Sequence, residues 1–283
     1  MTVLEAIQKS SDFLGKKGIE SSRLQAELLL AHLLKLPRMR LYLNFERALS
    51  PAETDALREL VKRRGQREPL QHIIGSTSFC GYEIAVNRHA LVPRPETELL
   101  AELGWQFLST LNAQRSNAFD FGTGTGCIAI TLAARCPNAK ITATDISADA
   151  LALAKENAER NQVAERIEFL QGDGFAAVPK DEPFDLIISN PPYIPSAEIA
   201  TLQPEVRDFD PRGALDGGAD GLDFYRKLAA EAQPFLKPGG KIMLEFGDGQ
   251  ADDIKRIFEN EKWIVEAVKE DYSQRARILI AKL

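Results

Sequence analysis

Long apolar runs are absent from this chain. No stretch approaches the roughly 18 uninterrupted apolar residues that a membrane-spanning helix needs. The opening Met1-Thr2-Val3-Leu4-Glu5-Ala6 also lacks the charged-then-apolar layout of a secretion signal, so a cytoplasmic location is expected. Sulfur and imidazole are scarce: Cys80, Cys127 and Cys136, with His32, His72 and His89, show no ligand or disulfide spacing. Reduced thiols and no bound metal are the expectation. Blocks of single-sign charge are missing too, although the net charge of −6 is unevenly spread. Residues 1–70 hold 13 Lys and Arg against 9 Asp and Glu, leaving 22 against 32 for the rest. The acidic balance of the larger part disfavours stable nucleic-acid binding, and the basic excess of the first is a weak hint of an acidic partner.

What is present is enough apolar residue, 44% of 283, to bury a large core in more than one domain. Residues 1–70 read as a small helical domain. Thr2-Val3-Leu4-Glu5 is a candidate capping box, Ser22 and Gln25 share its spacing, and Ser50-Pro51-Ala52-Glu53 adds proline at the first helical position. Residues 71–90 then read as a linking β-hairpin: Gln71-His72-Ile73-Ile74, Thr77-Ser78-Phe79 and Tyr82-Glu83-Ile84-Ala85-Val86 are strand-like, with turns at Gly75 and Gly81. Residues 91–283 form the third part. There Leu91-Val92-Pro93-Arg94-Pro95-Glu96-Thr97-Glu98 is extended before a helix start at Pro95 or Thr97, running to about Leu108.

From Asn117 strand and helix alternate. Strands are expected at 118–121, 140–145, 167–171, 184–190, 241–246, 263–268 and 276–281, and helices at 127–135, 148–160, 222–236 and 251–261. Single helices between strands imply right-handed crossovers and a doubly wound, mostly parallel seven-stranded α/β sheet. The last two strands have no room for a crossover, so the final strand should run antiparallel.

Chemistry-bearing residues fall at the carboxyl ends of these strands, where open α/β sheets bind ligands. Asp120-Phe121-Gly122-Thr123-Gly124-Thr125-Gly126 lets backbone approach a ligand at a helix start. Its glycine spacing differs from G-x-G-x-x-G, which argues against a nicotinamide site. Asp145, ending the second strand, suits the two hydroxyls of a ribose, with charge-assisted bonds worth roughly 1.5–3 kcal/mol each. Gly172-Asp173-Gly174-Phe175 adds a carboxylate and an aromatic face on which a planar base could rest.

The fourth strand ends in Asn190-Pro191-Pro192-Tyr193. Methylating a planar nitrogen needs acceptors for its N–H groups rather than a strong base. The Asn190 side-chain oxygen and the Pro191 carbonyl can each take one, while Tyr193 packs on the planar group.

These residues together resemble a class I methyltransferase that uses S-adenosylmethionine and modifies amide or exocyclic amino nitrogens. With Glu68-Pro69-Leu70-Gln71-His72-Ile73-Ile74-Gly75, the 91–98 segment and Leu244-Glu245-Phe246-Gly247, the chain is similar over nearly its whole length to the release-factor glutamine methyltransferases, the PrmC/HemK family. The resemblance implies a Rossmann-like methyltransferase sheet with a helical substrate-docking domain before it. It places residues 122–126 around the methionine part of the donor with Asp120 close by, Asp145 on the ribose and Asp173 with Phe175 near the adenine. Asn190, Pro191, Pro192 and Tyr193 would receive the glutamine amide of the Gly-Gly-Gln loop of peptide chain release factors, with Arg94, Glu96 and Thr97 helping to close the site. Phe121 and Gln274 depart from the family's usual aliphatic residue and glycine. Two alternatives remain open from the residues: methylation of an exocyclic amine on a DNA or RNA base, and a donor-binding module without turnover.

Overall fold

A computed structural model of the chain describes residues 1–111, 115–180 and 182–283. Two compact units emerge: Met1–Ser76 with Gln203–Phe209, and Thr77–Leu202 with Asp210–Leu283.

The first unit is helical because its starts are chemically marked. The helix Val3–Lys16 begins at a capping box in which Thr2 accepts from the Glu5 amide and Glu5 from the Thr2 amide. Pro51–Gly65 begins the same way at Ser50 and Glu53, with Pro51 in the first turn where its missing N–H is not needed. Between them lies Ser22–Leu34, whose start differs from expectation: the cap is Ser21 in a left-handed conformation, while the Ser22 hydroxyl lies 3.2 Å from that of Ser11. Apolar faces carrying Val3, Ile7, Leu14, Leu29, Leu30, Leu57 and Val61 meet in one core. The buried Arg64 ties in the distant segment, donating to Gln25 at 2.6 Å and to Glu205 at 2.8 Å.

The strand expected at 71–74 is instead a short helix, Leu70–Ile74. A four-residue apolar run carries no period that separates strand from buried helix, and Pro69 before it with left-handed Gly75 after it closes one helical turn. The hairpin therefore reduces to β1 (Ser76–Phe79) and β2 (Tyr82–Ala85).

The second unit contains the expected seven-stranded sheet: β3 (Ser116–Phe121), β4 (Ala139–Asp145), β5 (Ile167–Gln171), β6 (Phe184–Ser189), β7 (Leu236–Glu245), β8 (Ile264–Glu270) and β9 (Ala276–Lys282). Their spatial order is β5-β4-β3-β6-β7-β9-β8. All neighbours are parallel except β9, which runs antiparallel to both β7 and β8. The tight turn before β9 is closed by Asp271, which accepts from the amides of Ser273 and Arg275, and leaves no room for a crossover helix. Gln274 in that turn has φ 61°, the left-handed region that favours glycine.

Helices cover both faces. Pro95–Thr110 lies close against the sheet at Gly104, where an added Cβ would meet Ile188 Cδ1 at 3.0 Å. Cys127–Arg135 and Ala148–Arg160 follow β3 and β4 as expected. The helix expected at 222–236 is shorter, Asp223–Glu231, because Pro234 cannot continue it and β7 starts at Leu236. One core layer is aliphatic, around Ile128, Leu132, Ile141, Leu186 and Ile188. The other is aromatic, around Phe119, Phe121, Phe175, Phe184 and Phe235. Among the described residues no helix is long and apolar enough to cross a membrane.

Candidate active site

Strand order reverses between β4-β3 and β3-β6, and that reversal opens a crevice beyond the strand carboxyl ends. A cavity of about 270 Å³ occupies it, lined by residues from the ends of β3, β4, β5 and β6. The sequence-expected residues Arg94, Gly122, Thr123, Gly124, Thr125, Asp145, Asp173, Asn190, Pro191 and Pro192 all line it, together with Thr97.

The glycine loop is held from behind. Gly126 caps the helix Cys127–Arg135 with φ 81°, and the tight packing that makes glycine necessary is shown by the 3.1 Å an added Cβ would leave to Ala154 Cβ. Asp120 is fully buried beneath the loop and accepts from the Thr123 hydroxyl at 2.6 Å. Burial pushes its pKa up to about 7 against the Thr123 hydrogen bond and the Ala129 amide, with the Asp145 carboxylate adding to the rise. Asp120 thus shapes the loop from below and does not line the cavity. Asn157, also fully buried, donates to the carbonyls of Thr125 and Ala85 and accepts from the Ala85 amide, joining the loop to the end of β2.

Asp145 is fixed by backbone on both oxygens: Gly124 N–H donates to one and Ser147 N–H to the other, each at 2.9 Å. Each oxygen keeps a further lone pair, which suits two vicinal hydroxyls. Ser147 takes the helix-capping role, accepting from the Ala150 amide at 3.2 Å. Asp173 is paired with Lys227 at the next strand end.

Asn190 follows β6, and its side-chain N–H donates to Thr97 Oγ1 at 3.0 Å, which leaves its oxygen as an unspent acceptor. The segment after it is stapled down: Gln250 donates to the Tyr193 carbonyl at 2.9 Å and Ile194 N–H to the Leu215 carbonyl at 3.0 Å. Arg94, also in the cavity lining, pairs with buried Asp210 at 2.7 Å.

Besides Asp120 and Gly126, three more expected residues stand away from the cavity lining. Phe175 is not at the cavity: it is 3% exposed, stacked on Phe235 with ring centroids 4.8 Å apart, and the aromatic rings on that wall belong to Phe121 and Phe224. Gly174 before it has a φ of 56°, and an added Cβ there would lie 1.9 Å from Phe121 Cε2. Glu96 is exposed in the first turn of the helix Pro95–Thr110 and does not line the cavity. Tyr193 points away from it, its ring against Gly247 at the far side of the proline turn, where burial holds its hydroxyl pKa up. Sequence reading put Thr97 at the site and Glu245 in a matching motif, but it did not bring the two together behind Asn190 as buried groups. Thr97 reads as a cap but stands inside the helix, and Glu245 is a 3%-exposed carboxylate ending β7. A charged residue closing an otherwise apolar strand, Ile242-Met243-Leu244-Glu245, was the available signal.

The donor set fits S-adenosylmethionine: a glycine-rich loop for the amino-acid part, a pre-oriented carboxylate for the ribose and apolar wall for a base. Residues 5–75 match the PrmC N-terminal domain and residues 104–203 the methyltransferase small domain. The chain is 44% identical over 257 residues to the release factor glutamine methyltransferase of Geobacter sulfurreducens, covering 91% of this chain and 88% of that protein. With the release factor glutamine methyltransferase of Chlorobaculum tepidum it shares 42% over 282 residues, 98% and 95% of the two chains. Among solved structures, a methyltransferase from Pyrococcus furiosus matches with TM-score 0.52 at 25% identity, over 72% of this chain and 90% of that one. Near-full-length identity on this scale places the chain in the release factor glutamine methyltransferase family.

Proposed function

We propose that the protein transfers a methyl group to the side-chain amide nitrogen of the glutamine in the Gly-Gly-Gln motif of peptide chain release factors. The observation that carries this reading is the Asn190 side chain, its N–H committed to Thr97 and its oxygen free, at the rim of the cavity that also holds the glycine loop and Asp145. Bound S-adenosylmethionine supplies an electrophilic methyl group on a positively charged sulfur. Asp145 orients the donor through its ribose, and residues 122–126 shape the space for its amino-acid part. Asn190 Oδ1 and the Pro191 carbonyl accept the two amide N–H bonds of the glutamine, which raises electron density on nitrogen and aims its lone pair. The carbon–sulfur bond then breaks as the nitrogen–carbon bond forms, and one amide proton is released.

Arg94, held by Asp210, closes the wall beside the incoming amide. The helical unit at the amino terminus serves to dock the protein substrate. That substrate places the reaction in the cytoplasm. Incubating the purified protein with isotopically labelled donor and either a release factor or nucleic acid tests the reading. Label is expected in the release factor alone; label in nucleic acid alone would establish base methylation instead.

A further inference from the structure

Asparagine is nearly symmetric in shape, so the partners of its amide decide whether oxygen or nitrogen faces a ligand. Here the partner is a hydroxyl, Thr97 Oγ1, at 3.0 Å from Asn190 Nδ2. A hydroxyl both donates and accepts, so it cannot by itself hold the amide one way round. The third group in the row is Glu245. Ser189 is the register partner of Leu244, so Glu245 stands beside Asn190 at the common end of β6 and β7. Its side chain is 3% exposed, one carboxyl oxygen has no hydrogen-bond partner, and no cation pairs with it among the described residues. The Thr97 hydroxyl and the Asn190 side chain both favour the ionised form of its carboxyl group.

We propose that Thr97 and Glu245 are positioning residues which set the polarity of Asn190, so that the amide oxygen, and not the amide nitrogen, is presented to substrate. A carboxylate only accepts. Ionised Glu245 therefore draws the Thr97 proton toward itself, the Thr97 lone pair takes the Asn190 N–H, and Asn190 Oδ1 is left facing the cavity. A protonated Glu245 can donate, which lets Thr97 donate to Asn190 Oδ1 and turns the N–H outward. An outward N–H repels the glutamine N–H that the reaction must hold. This inference rests on the methyl-transfer reading above and extends it to the residues behind the acceptor.

Ionisation of Glu245 falls within the working range. Burial raises its pKa to about 7; the Thr97 hydrogen bond opposes the rise, Glu96 adds to it, and Arg277 and Asn190 oppose it. Tyr193 also faces the carboxyl group, and Tyr225 donates to the Glu245 backbone carbonyl at 2.8 Å. Both phenols stay neutral here, since burial raises their pKa values. Arg277 is engaged by Asp271 at 3.3 Å and so does not act as a direct counter-ion. Turnover should rise with pH as Glu245 loses its proton near pH 7.

Steady-state methylation of a release factor by wild-type, T97V, T97S and E245Q proteins tests the proposal, with donor affinity measured by calorimetry as a check on folding. T97V keeps the shape of threonine and removes the hydroxyl, so kcat is expected to fall about tenfold to a hundredfold while KM and donor affinity stay within about threefold. T97S restores the hydroxyl and should recover most of kcat. E245Q can donate as well as accept, so it should lower kcat and abolish the rising limb near pH 7. Wild-type kcat in T97V, or an unchanged rising limb in E245Q, would overturn the proposal while leaving the methyl-transfer reading intact. No transfer by the wild-type protein would overturn both.

Discussion

Replacing Glu245 by glutamine should stabilise the protein while it damages turnover, and the stability gain should appear only above a definite pH. The carboxyl is 3% exposed and its pKa in the folded state is about 7, against 4.5 for the free side chain. Below pH 4.5 the group is neutral in both folded and unfolded chains and contributes nothing. Between pH 4.5 and 7 the unfolded chain gives up its proton and the folded one keeps it, so stability falls as pH rises; above 7 the penalty is complete. A shift of this size corresponds to about 3 kcal/mol. Glutamine has nearly the same shape, can still hydrogen-bond to Thr97 and Asn190, and carries no charge to desolvate. At pH 8.5 the variant should therefore melt about 6–12 °C higher than wild type, given about 2–4 °C per kcal/mol for a unit of this size. At pH 4 the two proteins should coincide. Urea unfolding of both across that range, followed by tryptophan fluorescence, measures the difference directly. A difference that does not change with pH, or a variant less stable than wild type at pH 8.5, would show that burial of Glu245 carries no ionisation penalty. The same substitution should cost activity, as expected where a functional site holds a group that folding alone would reject.

Three further outcomes follow from individual contacts. D145A removes the carboxylate that the Gly124 and Ser147 amides hold in place, and donor affinity should drop about tenfold or more in a calorimetric titration. G174A puts a Cβ 1.9 Å from Phe121 Cε2 at a φ of 56°, so the protein should lose about 2 kcal/mol or more in urea unfolding, with the aromatic layer disturbed. S50A deletes one half of the capping box on the helix Pro51–Gly65 and should lower the stability of the helical unit by about 1 kcal/mol, read by circular dichroism during denaturation.

Most of the architecture was legible because local signals and global fold agree. The helices Cys127–Arg135 and Ala148–Arg160 and the strand Ile167–Gln171 lie where periodicity puts them, since turn residues bound each on both sides. The capping boxes at Thr2 and Ser50 are read from four residues apiece. Legibility fails where spacing is shared by two outcomes. Ile73 and Ile74 suit a strand as well as a helical turn, and only Pro69 and Gly75 together decide. Ser22 has the spacing of a cap, yet the chain reverses at left-handed Ser21. At the site, residues were legible when their backbone position fixes their role, as for Asp145 and Asn190 at strand ends. Those whose role depends on where a ring or carboxyl turns were not. Phe175 and Tyr193 turn inward, and the importance of Glu245 emerges only when β6 and β7 are set side by side.

Methylation of a glutamine amide at Asn190 is read out by site-localised mass spectrometry of a release factor incubated with S-adenosylmethionine. With wild-type protein, fragmentation of the Gly-Gly-Gln peptide should place one methyl group on the glutamine side chain. With N190A the yield should fall about a hundredfold while donor binding persists. An unmodified glutamine with wild-type protein would rule out glutamine methylation, and full methylation by N190A would remove Asn190 from the chemistry.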